Sequence, residues 1–194
     1  MIVGLTGRAG SGKDSVGAIL CKEYGARSLS FAAPLKRLCM DQFGLTHEQV
    51  NTLEGKETPD PRWISAEGKA RTPREILQLV GTEGFRAVDP SFWVKRAMAE
   101  AMLLVRDGAP VVVFTDVRFP NECAAIRDAG GFVLRLVKSD GPGTAQGGHA
   151  SEAQVDALDV DAELSAPHGH LPMLYAGARE FMRAFGVRPV DVIR

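Results

Sequence analysis

The chain has 194 residues, 45% hydrophobic and 24% charged, and its 23 Lys+Arg against 24 Asp+Glu give a formal charge of −1. These ordinary globular values exclude an intrinsically disordered chain, and the even charge balance excludes a broad basic face for polymeric nucleic acid. Glycine alone is out of line, with 21 residues, about 11% against a usual ~7%.

The length suits one domain, 1–194, with a sizeable core and room for a smaller inserted subdomain. Cys21, Cys39 and Cys123 are widely spaced and form no CxxC pair. Reduced thiols in a cytoplasmic protein are therefore expected. The opening Ile2-Val3-Gly4-Leu5 is strand-like and lacks the pattern of a signal peptide. No apolar run approaches ~18 residues, so no membrane partner is expected.

In chain order, Ile2–Thr6 reads as a buried strand and Asp14–Glu23 as a helix with Val16, Ile19, Leu20 and Tyr24 on one face. Ser28–Ala32 is a candidate second strand. The polar, Pro- and Gly-punctuated stretch that follows is expected to hold one helix, Leu35–Phe43, and a long mobile loop over 44–70. A loop of that length in a compact domain points to function. Thr72-Pro73-Arg74-Glu75 has the form of a capping box with proline at the first helical position. Asp89-Pro90 repeats the start signal ahead of Trp93, Ala97, Ala101 and Leu104, which share a face. Val111–Thr115 reads as a central strand, Pro120–Asp128 as a helix stopped by Gly130-Gly131, and Phe132–Val137 as another strand. A glycine-rich flexible stretch, Ser139–Gly148, precedes a weak strand near Val160–Leu164 and a helix near Leu171–Phe185. The alternation predicts an α/β fold around a mostly parallel sheet.

Gly7-Arg8-Ala9-Gly10-Ser11-Gly12-Lys13 matches G-x-x-x-x-G-K between a clean strand and a clean helix. Glycines there let backbone N–H groups turn inward onto phosphate oxygens, the helix start adds partial positive charge, and Lys13 reaches the β- and γ-phosphates as a point charge. The hydroxyl residue that usually follows the lysine and ligates Mg²⁺ is here Asp14, with Ser15 next. Asp14 ligates magnesium, holds one of its waters, or caps the helix while Ser15 ligates; the sequence leaves the three open.

Asp116 and Arg118 end the Val111–Thr115 strand, where ligands bind in open α/β sheets. Asp116 suits a metal or an acceptor oxygen and Arg118 a phosphate; a pair that caps the next helix is the plain alternative. Glu122 is four residues beyond Arg118 on the first helical turn, where a carboxylate is favourable for the helix alone. Arg71, Arg74 and Arg86 form a second polar set; Gln78, Thr82 and Arg86 are spaced by four and share one stripe if the helix runs on, but not if Gly81 and Gly84 break it. Such arginines suit a phosphate monoester or plain solvent. His149-Ala150-Ser151-Glu152 lacks the spacing of a zinc site and the elbow of a serine hydrolase, and fits the base of a lid.

These residues together resemble the phage-type deoxynucleoside monophosphate kinases. The ordered blocks are GLTGRAGSGKDSV (4–16), TPREILQLVGTEGFR (72–86), PSFWVKR (90–96), TDVRFPNECAAIRDAGG (115–131) and GGHASE (147–152). The resemblance implies a three-layer P-loop nucleoside monophosphate kinase-like fold, with an acceptor-binding insertion over about 33–106 and a lid over about 139–150. It implies transfer of the ATP γ-phosphoryl group to a dNMP with Mg²⁺. By position, Gly7, Ala9, Gly10, Ser11, Gly12, Lys13, Asp14 and Ser15 would hold the donor and Asp14, Ser15 and Asp116 the metal. Arg74, Trp93, Arg118 and Glu122 would bind the acceptor, joined by Arg86 from the second polar set, with Lys13, Asp116 and Arg118 catalytic. On spacing alone Trp93 reads as core; the resemblance makes it a base contact. Two positions depart from the family pattern: Lys138-Ser139 stands where relatives often carry Arg-Pro, and Ala166-Pro167-His168-Gly169 where they can show Asn-Asp-Gly.

Rival readings are a dephospho-coenzyme A or phosphomevalonate kinase-like enzyme and a non-catalytic nucleotide-binding regulatory protein. Arg74 and Arg118 discriminate, since a pure binder has no use for them. A homodimer is left open as the assembly.

Overall fold

The computed structural model describes residues 1–139 and 155–190. The expected lid lies outside them beyond Ser139, as do Gly141, Gly143, Gly147 and Gly148 and the His149-Ala150-Ser151-Glu152 segment. In chain order the elements are β1 (Ile2–Thr6), α1 (Lys13–Tyr24), β2 (Arg27–Leu29), α2 (Ala33–Phe43), α3 (His47–Asn51) and α4 (Leu53–Glu57). Then come β3 (Asp60–Ile64), β4 (Ala70–Arg71), α5 (Pro73–Gln78), a π-helix (Leu79–Arg86) and α6 (Phe92–Arg106). The chain continues with β5 (Val112–Phe114), α7 (Pro120–Asp128), β6 (Phe132–Lys138), β7 (Ala162–Ala166) and α8 (Leu171–Ala184). They fall into two compact units, Met1–Phe31 with Ala97–Arg194, and Ala32–Arg96.

The first unit holds a five-stranded sheet in the order β2-β5-β1-β6-β7, with every pair parallel. β1 is buried at all five positions, as a strand covered on both faces requires. Val3 and Leu5 pack on one face with Val16 and Leu20 of α1 and Leu174, Ala178, Phe181 and Met182 of α8. On the other face Gly4 admits α7 at backbone distance: a Cβ there would stand 2.6 Å from Ile126 Cδ1. The result is helix, sheet, helix: the α/β fold with a parallel sheet that the alternation predicts, in the three layers that the resemblance implies. The chain order reverses across β1, between β5 on one side and β6 on the other, so the crevice for ligands opens at the carboxyl end of β1.

In the second unit the stretch 44–70 is structured, which corrects the loop expectation. Prolines and glycines there punctuate short elements. Thr46 and Gln49 form a reciprocal capping box on α3, and Thr52 caps α4 through the Gly55 N–H. Val50, Leu45, Cys39 and Ile76 form a small core. β3 and β4 pair antiparallel, Asp60 opposite Arg71. The buried Asp60 carboxylate accepts from Gln49 Nε2 and from Arg62, and the Arg62 guanidinium holds it well below the usual carboxylate range.

The capping box at Thr72 and Glu75 forms as expected. Beyond Gln78 the helix widens into its π-form and does not break at Gly81 or Gly84. Gly81 lies against Leu35, whose Cδ2 would stand 2.7 Å from an added Cβ. With i→i+5 bonding, four residues fall short of a turn. The stripe expected for Gln78, Thr82 and Arg86 is therefore not that of an α-helix.

Candidate active site

The turn after β1 is built from backbone. Gly7, Gly10 and Gly12 take φ of 138°, 70° and 94°, values that L side chains rarely adopt, and a Cβ at Gly7 would strike the Leu136 carbonyl. Gly12 stands at the N-cap of α1 without a side-chain cap, so the first N–H groups of that helix face the loop. Ser11 is 5% exposed, and its Oγ has no hydrogen-bond partner in the structure. An orphan buried hydroxyl inside a ring of glycines fits a phosphate oxygen. The Lys13 ammonium donates to the Gly7 carbonyl at 2.7 Å and the Arg8 carbonyl at 2.9 Å. It rests on the loop that it would leave for a phosphate.

A cavity of about 250 Å³ opens here, lined by residues 10–15, Lys138, residues 166–169, Leu171 and Leu174. Ala9 is exposed at the loop's outer turn and Gly7 buried at its base. Lys138 ends β6, and its Nζ would lie 3.1 Å from a Cβ on Gly10. Two ammonium groups thus converge on one cavity. The rule that picks out Asp116, a polar side chain at the end of a strand flanking β1, picks out Lys138 as well. His168 and Pro167 line the cavity where the sequence departs from the family pattern.

Thr6 Oγ1 donates to the Val117 carbonyl at 2.8 Å and the Val117 N–H bonds the Leu5 carbonyl, so the turn after β5 is stitched to the end of β1. Asp116 precedes Val117 in that turn, just beyond the end of β5. Asp116 Oδ1 accepts the Phe31 N–H at 2.8 Å, and Phe31 stacks on Phe114 at 4.2 Å. Glu122 is 2% exposed, and its Oε2 accepts the N–H groups of Arg118 at 2.7 Å and Phe119 at 3.1 Å. It shapes the turn from which the exposed Arg118 projects. Asp14 is exposed and Ser15 half-buried at the start of α1.

Asp14 and Ser15 line the cavity and are the oxygen donors there that magnesium would use. Among the described residues no group of three or more His, Cys, Asp or Glu could hold a metal. Mg²⁺ takes one or two protein oxygens and completes its shell with water and substrate phosphates.

The remaining expected residues lie in the second unit. Arg74 Nε is paired with Glu57 Oε1 at 2.5 Å. Arg86 is half-buried at the end of the π-helix. Trp93 is 3% exposed, donates its indole N–H to the Gly81 carbonyl at 3.0 Å, and sits against Phe85 and Phe92. Its burial matches the core role that its helical spacing suggests, and leaves no open ring face for a base.

No family model matches the chain. A protein of Acanthamoeba polyphaga mimivirus named as a deoxynucleotide monophosphate kinase is 36% identical over 169 residues, covering 81% of this chain and 83% of its own. The deoxynucleoside-5′-monophosphate kinase of Escherichia phage T5 is 27% identical, over 84% of this chain and 88% of its own. The crystal structure of TT1252 from Thermus thermophilus, 20% identical, superposes with a TM-score of 0.50 over 94% of this chain and 97% of that one, a likeness of fold.

Proposed function

The chain belongs to the deoxynucleotide monophosphate kinase family, and from that premise we infer that it moves the γ-phosphoryl group of ATP to a deoxynucleoside monophosphate, giving the diphosphate and ADP. The observation that carries this reading is the glycine cradle, with Ser11 Oγ unpartnered and the Lys13 and Lys138 ammonium groups at one cavity. Phosphoryl transfer asks little covalent chemistry of a protein; it asks for alignment and for cations around the moving group.

The loop N–H groups and Ser11 bind the donor phosphates. Lys13 leaves the Gly7 and Arg8 carbonyls for the β- and γ-oxygens, and Lys138 adds a second point charge. Asp14, Ser15 and Asp116 are the residues that would hold magnesium, which when bound neutralises charge on the phosphate oxygens. Arg118, on the turn set by Glu122, holds the acceptor phosphate in line. Glu122 acts through that turn. Arg74 and Arg86 of the second unit are assigned to the acceptor as well, and Trp93 supports the π-helix that ends at Arg86. Three free cysteines support a cytoplasmic setting, and no helix among the described residues is long and apolar enough to cross a membrane.

The test is a coupled ADP-release assay with Mg-ATP across dGMP, dTMP, dCMP, dAMP and the ribonucleotides. Turnover with at least one deoxynucleotide is expected. Folded protein that turns over none of them overturns the reading.

A further inference from the structure

Arg8 is the second residue of the phosphate loop, and nothing in the motif gives its side chain a task. In the structure it is held at both ends. Its carbonyl oxygen accepts from Lys13 Nζ at 2.9 Å and from the Ser11 N–H at 3.1 Å. Its guanidinium grips Asp156 as a fork: Nε reaches Oδ1 at 3.2 Å and Oδ2 at 3.0 Å, and Nη2 donates to Oδ2. The two residues are 148 positions apart.

The Asp156 side chain is 47% exposed, but the backbone around it is anchored. Val155 and Leu158, on either side of it, are 4% and 5% exposed. The carbonyls of both accept from Arg135 Nη2. Arg135 is in register with Thr6, the residue before Gly7. The strand position beside the loop's entrance therefore anchors the turn whose carboxylate holds the loop. Exposed ion pairs usually contribute little, because two long side chains must be ordered to make them. Here both side chains are part-exposed, at 38% and 47%, but the backbone that carries the acid is anchored and the arginine is forked, which favours the pair.

We infer that Asp156 is a positioning residue of the phosphate loop: by gripping Arg8 it keeps the loop shaped for the donor triphosphate, and so sets donor affinity and not the rate of transfer. The inference rests on the reading of this loop as the donor site. Removing Asp156 has two opposed effects. It frees a residue beside glycines whose backbone must be re-ordered on binding, and it removes one negative charge near the phosphates. The charge acts through solvent within about one Debye length and is already paired, so the ordering effect prevails.

The experiment measures ATP binding by calorimetry, without acceptor, on the full chain and on Asp156→Asn, Asp156→Glu, Arg8→Ala and the Arg8→Ala/Asp156→Asn pair. Asp156→Asn should weaken ATP binding roughly three- to tenfold, with kcat at saturating ATP within about twofold and the acceptor KM unmoved. Asp156→Glu should restore most of the affinity, and Asp156→Asn should add nothing once Arg8 is alanine. Wild-type affinity in Asp156→Asn, tighter binding in it, or additive losses in the pair overturns the inference while the donor-site reading stands. Folded wild-type protein that binds no ATP overturns both.

Discussion

Lys13 is one side chain in two possible partnerships, with the Gly7 and Arg8 carbonyls or with phosphate oxygens. An ammonium aimed at developing charge is worth far more in the transition state than in the resting loop. Lys13→Ala should therefore lower kcat by about a hundredfold or more in a single-turnover assay while the thermal transition holds. Arg118 lies on a turn fixed from behind by Glu122, and its own side chain is exposed. Arg118→Ala should raise the acceptor KM by about one order of magnitude or more, the worth of a charge-assisted bond, with ATP affinity kept. Equal loss of ATP binding in both variants would contradict the division of roles. Burial pushes the thiols of Cys39 and Cys123 up to about 11, so both stay protonated at neutral pH. A thiol reagent at pH 7.5 should label neither until the protein is unfolded.

At the scale of elements, strongly signalled stretches were legible in advance. β1 and α7 begin and end where Ile2–Thr6 and Pro120–Asp128 predict, because each combines an unbroken apolar set or a proline start with glycine beyond. The region 44–70 was not legible: its elements are five residues or fewer, too short for a period to emerge, and are held by caps and a four-residue core. The π-helix was hidden for another reason: its Gly81 packs on Leu35 of α2, a contact 46 positions away in sequence that no local pattern marks. Gly81→Ala should cost about 1–3 kcal/mol in urea unfolding, and less if Leu35 is shortened with it. Asp60 gives the β3–β4 hairpin an acid limit. Its carboxyl is held below the usual range by Arg62, so the stability it contributes is complete above about pH 4 and fades as pH falls further. Asp60→Asn should therefore be destabilising at pH 6, with the gap from wild type narrowing below pH 4.

For the whole molecule, the site was legible where contacts are local in sequence or follow from sheet topology. Residues 7–15 form one glycine turn and the first residues of α1, and β5 lies beside β1 in the parallel sheet. Contacts such as Arg8 with Asp156, or the indole of Trp93 with the Gly81 carbonyl, carry no mark in the pattern of residue types. A ligand that binds only the folded chain raises its stability by mass action. ATP at a hundred times its dissociation constant should contribute about 2.7 kcal/mol, seen as a raised Tm in differential scanning fluorimetry. Lys13→Ala should lose most of that shift.

The chain leaves the first unit after Phe31 and re-enters it at Ala97, inside the continuous helix α6. A segment with one exit and one return is a cassette. Residues 32–96 can be exchanged for the matching stretch of a relative without cutting the sheet or the glycine turn, provided the frame of α6 is kept.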